Sequence, residues 1–305
     1  MISVSVKNIR KNYGETIALH DISFEVGKGE LFGFIGSDGA GKTTLFRILT
    51  TLILPDKGSA TLEGYDVIKD YKQIRNILGY MPGKFSLYQD LSVEENLNFF
   101  ATIFGTTLHE NYDLIKEIYG QIEPFKTRKA GKLSGGMKQK LALSCALIHK
   151  PVVLILDEPT TGVDAVSRRE FWWMLKRLKK IEITIIVSTP YMEEAGLCDR
   201  IALIQEGKIM KINTPEQIVN DYPHLLLSIK AADIYRLLND LRDYPGIHSV
   251  HAFGQSAHLS YLTGALNTEE MEVFLLKRNH EGIEIRQIEP NIEDCFMDLM
   301  IGDKR

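Results

Sequence analysis

Nine consecutive residues, Gly36-Ser37-Asp38-Gly39-Ala40-Gly41-Lys42-Thr43-Thr44, fit the pattern G-x-x-x-x-G-K-[ST]. Glycines at this spacing let a loop wrap so that backbone N–H groups point inward at phosphate oxygens, with the positive end of a following helix added. In such a loop Lys42 reaches the β- and γ-phosphates and the Thr43 hydroxyl ligates Mg²⁺. Further along, Val152-Val153-Leu154-Ile155-Leu156 is an apolar run that ends in two carboxylates, Asp157 and Glu158. Asp157 suits a Mg²⁺ held through water, and Glu158 suits polarisation of an attacking water. A single carboxylate there would serve equally as a helix cap; two, followed by Pro159-Thr160 and preceded by a phosphate loop, read as catalytic. Leu133-Ser134-Gly135-Gly136-Met137-Lys138-Gln139 is a weaker third candidate, with Ser134, Gly135 and Gly136 at a helix start where backbone donors are free.

These residues need strands and helices to carry them. Leu31–Ile35 reads as a buried strand that stops at the glycine-rich turn, and Leu45, Ile48, Leu49 and Leu52 then recur at helical spacing. Ser92-Val93-Glu94-Glu95 is a capping box opening a helix whose stripe is Val93, Leu97, Phe100 and Phe104. A helix from about Ser134 stops before Pro151, a strand follows at Val152–Leu156, then a helix over Ala165–Lys180 and a strand over Ile183–Ser188. Strands alternating with helices predict a parallel sheet covered on both faces. After Ile201–Ile204, Gln205-Glu206-Gly207-Lys208 reads as a hairpin turn and Thr214-Pro215 as a helix start. Beyond a boundary placed at 217, the order is strand (Leu225–Lys230), helix (Ile234 to Leu241), strands around His248–Phe253 and Ala257–Tyr261, helix from Thr268 and strand Glu284–Ile288. That β-α-β-β-α-β order predicts a small α+β, ferredoxin-like domain.

Composition bounds the class. The chain has 305 residues, a formal net charge of -4 and 44 % hydrophobic content, which disfavours disordered, collagen-like and small disulfide-stapled proteins. Its apolar runs fall far short of the roughly 20 residues that cross a bilayer as a helix. The first six residues alternate like a strand, without the basic and apolar regions of a secretory signal. Cys145, Cys198 and Cys295, with no CxxC pair, indicate neither a disulfide framework nor a zinc cluster, and read as inert thiols in a reducing cytosol. Residues 1–217 carry a balance of +2 and residues 218–305 one of -6. An acidic tail repels phosphate backbones, so nucleic acid is not expected as its partner. His248, His251 and His258 are read as surface residues, and no metal site beyond Mg²⁺ is expected.

Taken in order, the motifs resemble those of the nucleotide-binding subunit of ATP-binding cassette (ABC) transporters over residues 1 to about 217. Gly36–Thr44 matches the Walker A motif, Leu133–Gln139 the signature motif, and Ile155–Thr160 the Walker B strand with its glutamate. Tyr13 matches the aromatic that stacks on adenine, and Gly162-Val163-Asp164 the D-loop that couples the two sites of a dimer. Tyr80-Met81-Pro82 and Phe85–Leu97 look like the Q-loop and the helical subdomain, about 84–149, that meets the membrane partner. The tail, Ile288 to Phe296, resembles the extension of ABC-2-type exporter ATPases. The resemblance implies a P-loop NTPase cassette with a mixed sheet, ATP and Mg²⁺ as ligands, and ATP sandwiched between the Walker A of one subunit and the signature of another. It also implies integral-membrane permease chains as partners, a peripheral place on the cytoplasmic face, and export.

Two positions depart from that pattern. The family has Gln after Tyr-x-Pro, where this chain has Gly83, and a switch histidine after Ser-Thr, where it has Pro190. Glycine has no side chain, and proline donates no hydrogen bond. Asp38 stands where Asn is usual, adding negative charge near the phosphates. Both losses fall on the site built around Lys42 and Asp157, while the signature is intact. The expectation is a slow site on this chain and a competent signature for a second ATPase subunit, in a heterodimer ahead of a homodimer. The alternatives are a soluble ABC ATPase acting on ribosomes or nucleic acid, and a regulatory pseudo-ATPase; a single cassette without long heptads weighs against the first, and Glu158 against the second.

Overall fold

Alternation of buried and exposed side chains near the N-terminus makes two long strands, β1 (Ile2–Tyr13) and β2 (Thr16–Gly27), paired antiparallel through a turn at Gly14-Glu15. They are followed by β3 (Leu31–Ile35), α1 (Lys42–Leu49), β4 (Lys57–Leu62), β5 (Tyr65–Asp66), α2 (Tyr71–Ile77) and β6 (Leu78–Met81). Next come α3 (Val93–Ile103), α4 (Tyr112–Tyr119), α5 (Gly135–Leu147), β7 (Val153–Asp157), α6 (Ala165–Lys180), β8 (Thr184–Thr189), β9 (Arg200–Gln205) and β10 (Lys208–Asn213). The chain continues with α7 (Pro215–Asn220), β11 (Leu225–Lys230), α8 (Ile234–Arg242), β12 (Ile247–Phe253), β13 (Ser256–Tyr261), α9 (Thr268–Lys277), β14 (Glu284–Ile288) and α10 (Ile292–Gly302). This computed structural model describes residues 1–261 and 268–302. It divides into Met1–Pro215 and Glu216–Arg305; residues 262–267 and 303–305, within the expected second domain, lie outside the described residues.

In the first unit, β3, β7 and β8 are buried at every position, the pattern of strands covered on both faces. They run parallel in a six-stranded sheet of order β10-β9-β3-β8-β7-β6, and β10 closes its edge antiparallel through a turn at Glu206-Gly207. Both turn residues have positive φ (48° and 73°), the type I′ geometry of a tight hairpin. The structure also holds what strand–helix alternation did not predict, a second, antiparallel sheet of order β2-β1-β4-β5. Its cause is legible in hindsight. Val4 and Val6, and Ile22, Phe24 and Val26, each lie two apart, so each strand buries one face and wets the other, as antiparallel hairpins do.

Helix α1 packs against both sheets. Leu45, Phe46, Ile48 and Leu49 are fully buried, and Phe34 stands 4.9 Å from Phe24, 5.3 Å from Phe32 and 5.7 Å from Phe46, ring centre to ring centre. Helix α3 begins as the expected capping box, with Ser92 and Glu95 bonded reciprocally. Its fully buried Asn96 accepts from Tyr88 N at 3.0 Å and donates to the carbonyls of Tyr88 and Ser92, which pins the loop that follows Gly83.

The second unit is an antiparallel sheet of order β12-β13-β11-β14, with Leu237, Leu241, Met271 and Leu275 of α8 and α9 in its core. Chain order and sheet order are those of the ferredoxin-like arrangement. Helix α10 is an addition that the periodicity reading missed, although Asn291 and Asp294 cap one another reciprocally at its start. The histidines expected at the surface are largely covered: the side chains of His248 and His258 are 15 % and 12 % exposed, each against an α10 carboxylate.

Truncating Phe34→Ala removes a ring with three aromatic neighbours and costs about 3–5 kcal/mol. The melting temperature of the first unit is expected to fall on the order of 10 °C, read by calorimetry.

Candidate functional site

Parallel pairing brings three strand ends together. Ile35 is level with Thr189, and Ser188 with Asp157, so the carboxyl ends of β3, β8 and β7 lie side by side, where open α/β sheets bind ligands. From β3 the chain enters the Gly36–Thr44 loop. A Cβ on Gly36 would stand 2.1 Å from the Ile204 carbonyl oxygen, and one on Gly41, whose φ is 99°, would stand 2.6 Å from that of Ala18. Side chains are therefore excluded at both ends of the loop. Ser37, Asp38 and Gly39 form its exposed rim, Ala40 is buried, Thr43 and Thr44 are half-buried, and Ser37 Oγ donates to Gln205 Oε1 at 2.7 Å. Gly41 precedes α1 without any side-chain cap, so the first-turn N–H groups remain available to an anion.

Lys42 is 3 % exposed. Its ammonium donates to the carbonyls of Gly36 (2.8 Å) and Ser37 (2.9 Å) and lies 3.3 Å from Glu158 Oε1. Asp157, 2 % exposed, accepts from Ser188 Oγ at 2.7 Å. The backbone N–H of Glu158 donates to Ser188 Oγ (3.0 Å) and to the Ser188 carbonyl (3.1 Å). These bonds hold Glu158 at φ 49°, a left-handed conformation that costs a side-chain-bearing residue about 1–3 kcal/mol. That turn sets adjacent carboxylates to different tasks, Asp157 toward Ser188 and Glu158 toward Lys42. Burial, and secondarily the charge of Asp157, push the Tyr80 hydroxyl up to about 12, so it stays protonated beside the site.

Thr43, Tyr80, Gly83, Asp157 and Glu158 line one cleft of about 1180 Å³, which continues past Phe100, Phe104 and His149. The Thr43 hydroxyl and the Asp157 carboxylate are hard oxygen donors facing a common space, a set that fits Mg²⁺. A Cβ at position 83 would lie 3.1 Å from the Asp157 carbonyl oxygen and 3.8 Å from its Oδ2. Pro190 directly follows Thr189, whose carbonyl accepts from Gly36 N at 3.4 Å. Position 83 thus borders Asp157 and position 190 follows the residue bonded to the start of the loop, and neither offers a side-chain donor.

The remaining expected residues fall elsewhere. Ser134 caps α5, accepting from Met137 N at 3.4 Å, and Gly135 and Gly136 face Gly162 and Ser167. None of the three lines the cleft of Thr43, Asp157 and Glu158. Asp164 caps α6 through Val166 N (3.1 Å), Ser167 N (3.0 Å) and Ser167 Oγ (2.8 Å), and the bonds to Ser167 hold its carboxyl below the usual range. Tyr13 is 48 % exposed and pairs with Thr16, two residues before the Ala18 that abuts Gly41. Sequence reasoning missed Ser188 and Glu194. The latter is 2 % exposed, receives Thr160 Oγ at 2.9 Å and bonds Thr189 Oγ, so it ties the carboxylate strand to the segment before Pro190. A hydroxyl residue ending a buried strand beside one that ends in Asp was a usable signal for Ser188; nothing local announces Glu194.

Comparison with known proteins agrees with the geometry. Residues 19–161 match a family model described as ABC transporter. The chain is 38 % identical over 282 residues to the probable multidrug ABC transporter ATP-binding protein YbhF of Escherichia coli (strain K12), covering 90 % of this chain and 47 % of YbhF, about half of that relative's length. It is 37 % identical over 305 residues to the Nod factor export ATP-binding protein I of Burkholderia orbicola (strain AU 1054), covering 97 % and 96 %. Among solved structures, an ATP-binding subunit of an ABC transporter superposes with a TM-score of 0.66 at 26 % identity, over 72 % of this chain and 93 % of that one.

Gly41→Ala forces a Cβ against Ala18 at positive φ, a strain of about 1–3 kcal/mol. Titration with a fluorescent ATP analogue is expected to show binding weakened roughly 10–100-fold with circular dichroism unchanged; affinity equal to the parent would show that loop curvature is not needed.

Proposed function

The chain belongs to the ABC transporter ATP-binding family, and from that premise we propose that it is the ATP-hydrolysing subunit that powers an exporter through dimerisation on MgATP, with a slow site of its own. The observation that carries the slow site is Gly83, which leaves no amide beside Asp157.

The loop N–H groups and the start of α1 receive the phosphates, Tyr13 stacks on the adenine, and Thr43 and Asp157 would hold the metal. Mg²⁺, when bound, offsets the negative charge on the phosphate oxygens. Lys42 is already oriented by the carbonyls of Gly36 and Ser37, so phosphate oxygens replace Glu158 as its third partner. Glu158 is then released to orient the attacking water. At this point the family's glutamine and histidine would add donors, and Gly83 and Pro190 add none. Loss of one such donor costs about 10²–10³ in rate, and two losses in one unit do not multiply.

Ser134, Gly135 and Gly136 are set at an α5 terminus whose backbone donors suit a phosphate. They complete the site of a second ATPase subunit, and Asp164 joins the two sites. This favours a heterodimer with permease chains as the membrane-embedded partners, the subunit lying peripherally on them from the cytoplasmic side. No described helix is long and apolar enough to cross a membrane.

ATPase turnover of the purified chain is expected to be low and to rise at least about 10-fold in a Gly83→Gln/Pro190→His double variant. A fast parental rate that vanishes in Lys42→Ala and Glu158→Gln would refute the slow site and leave a homodimer competent in both halves.

A further inference from the structure

In the second unit, side chains from three separate elements converge on one oxygen. His224 precedes β11, His248 lies on β12 and Asp298 on α10. Asp298 Oδ1 is 2.9 Å from His248 Nε2 and 3.4 Å from His224 Nε2, the three donor atoms lie within 4.8 Å of one another, and the imidazole centres are 4.1 Å apart. The side chains are only 13–15 % exposed.

Local structure aims each of them. Ile247 pairs with Tyr261 and Ser249 with Ser260, so His248 is the extra residue of a β-bulge, a device that redirects a side chain. Leu225 also pairs with Tyr261, which sets His224 at the same end of the sheet as His248. Asp298 is one helical turn beyond Asp294, and Asp294 is fixed by His258 Nδ1 at 2.8 Å and by the reciprocal cap with Asn291. The i,i+4 spacing puts both carboxylates on the α10 face turned to the histidines.

A hydrogen bond accounts for the 2.9 Å approach, but 3.4 Å is beyond an ordinary N–H···O bond. A cation between the donors accounts for the longer separation, and His248 exchanges its hydrogen bond for a metal bond when the ion enters. Metal–nitrogen and metal–oxygen bonds of about 2.0–2.2 Å in a tetrahedral site place donors roughly 3.3–3.5 Å apart. Imidazoles paired with one carboxylate suit zinc-like ions, whereas Mg²⁺ and Ca²⁺ prefer all-oxygen sets. We propose that His224 Nε2, His248 Nε2 and Asp298 Oδ1 form a binding site for a divalent transition metal of the zinc class, with water in the fourth position. The ion would clip α10 and the segment before β11 to the bulged edge strand.

The test uses the untagged full-length chain, stripped with chelator and titrated with Zn²⁺ in millimolar Mg²⁺, which occupies the oxygen donors of the nucleotide site. One Zn²⁺ per chain is expected, along with tetrahedral visible absorption when Co²⁺ is substituted and a rise in melting temperature with Zn²⁺. His248→Gln keeps an N–H donor toward Asp298 yet removes the imidazole, and His224→Ala removes the other; each is expected to weaken binding at least about 10-fold, the lower bound for disturbing a metal site. His280→Gln, which alters a His–Asp pair elsewhere in the unit, should bind like the parent. Absence of saturable binding, or triad variants that bind like the parent, would overturn the site. Should either variant fail to fold, diethylpyrocarbonate mapping of the parent decides: Zn²⁺ must shield His224 and His248, and unshielded rings refute the proposal.

Discussion

A lysine ammonium buried to 3 % exposure is the constraint around which the cassette is arranged. Such a charge costs several kcal/mol unless every donor finds an acceptor. The Gly36 and Ser37 carbonyls and Glu158 meet that demand, and each has a structural precondition. The carbonyls reach Lys42 because the loop curls tightly enough for backbone to touch backbone at Ile204 and Ala18. Glu158 reaches it because its chain turns into the left-handed region, held there by Ser188. The glycine-rich loop, the carboxylate strand and the strand between them are thus coupled through one cation.

Beside that arrangement, what is lacking at positions 83 and 190 is local. Neither residue is a partner of Lys42, Asp157 or Glu158, which are held by the Lys42–Glu158 ion pair, backbone carbonyls and Ser188. Under the proposed function the consequence is chemical: the groups that bind and position are separable from the donors that speed hydrolysis. Glu194, bonded to both Thr160 and Thr189, provides a mechanical link between the same strands without depending on residue 190. In the function proposed above, such a chain closes on nucleotide and contributes its α5 terminus to a neighbour while its own turnover is slow.

The second unit solves a different problem. Its added helix α10 carries Asp294 and Asp298 onto a sheet edge rich in histidine, and burying carboxylates there requires partners. His258 and Asn291 satisfy Asp294 with ordinary hydrogen bonds. Asp298 faces two imidazoles with a single oxygen, and this mismatch in number, rather than the presence of histidines, marks the place as built for a cation.

The sequence by itself determined whatever depends on neighbours in the chain. Gly36–Thr44, the capping box at Ser92, the apolar strand ending at Asp157, the turn at Glu206-Gly207 and the β-α-β-β-α-β order are set by spacing, capping and period, all local properties. The family follows from several such motifs in one order. Only the tertiary structure decided what depends on contacts across the chain. The antiparallel sheet beside the parallel one was hidden because strand pairing is non-local. Ser188 lies 31 residues from the Asp157 it holds, and Glu194 34 residues from Thr160. His248 meets Asp298 across 50 residues, through a bulge that has no sequence signature and a helix that the periodicity reading overlooked. Burial reversed the reading of those histidines: a polar side chain looks solvated until the fold removes the water, and its partners then become a question of geometry.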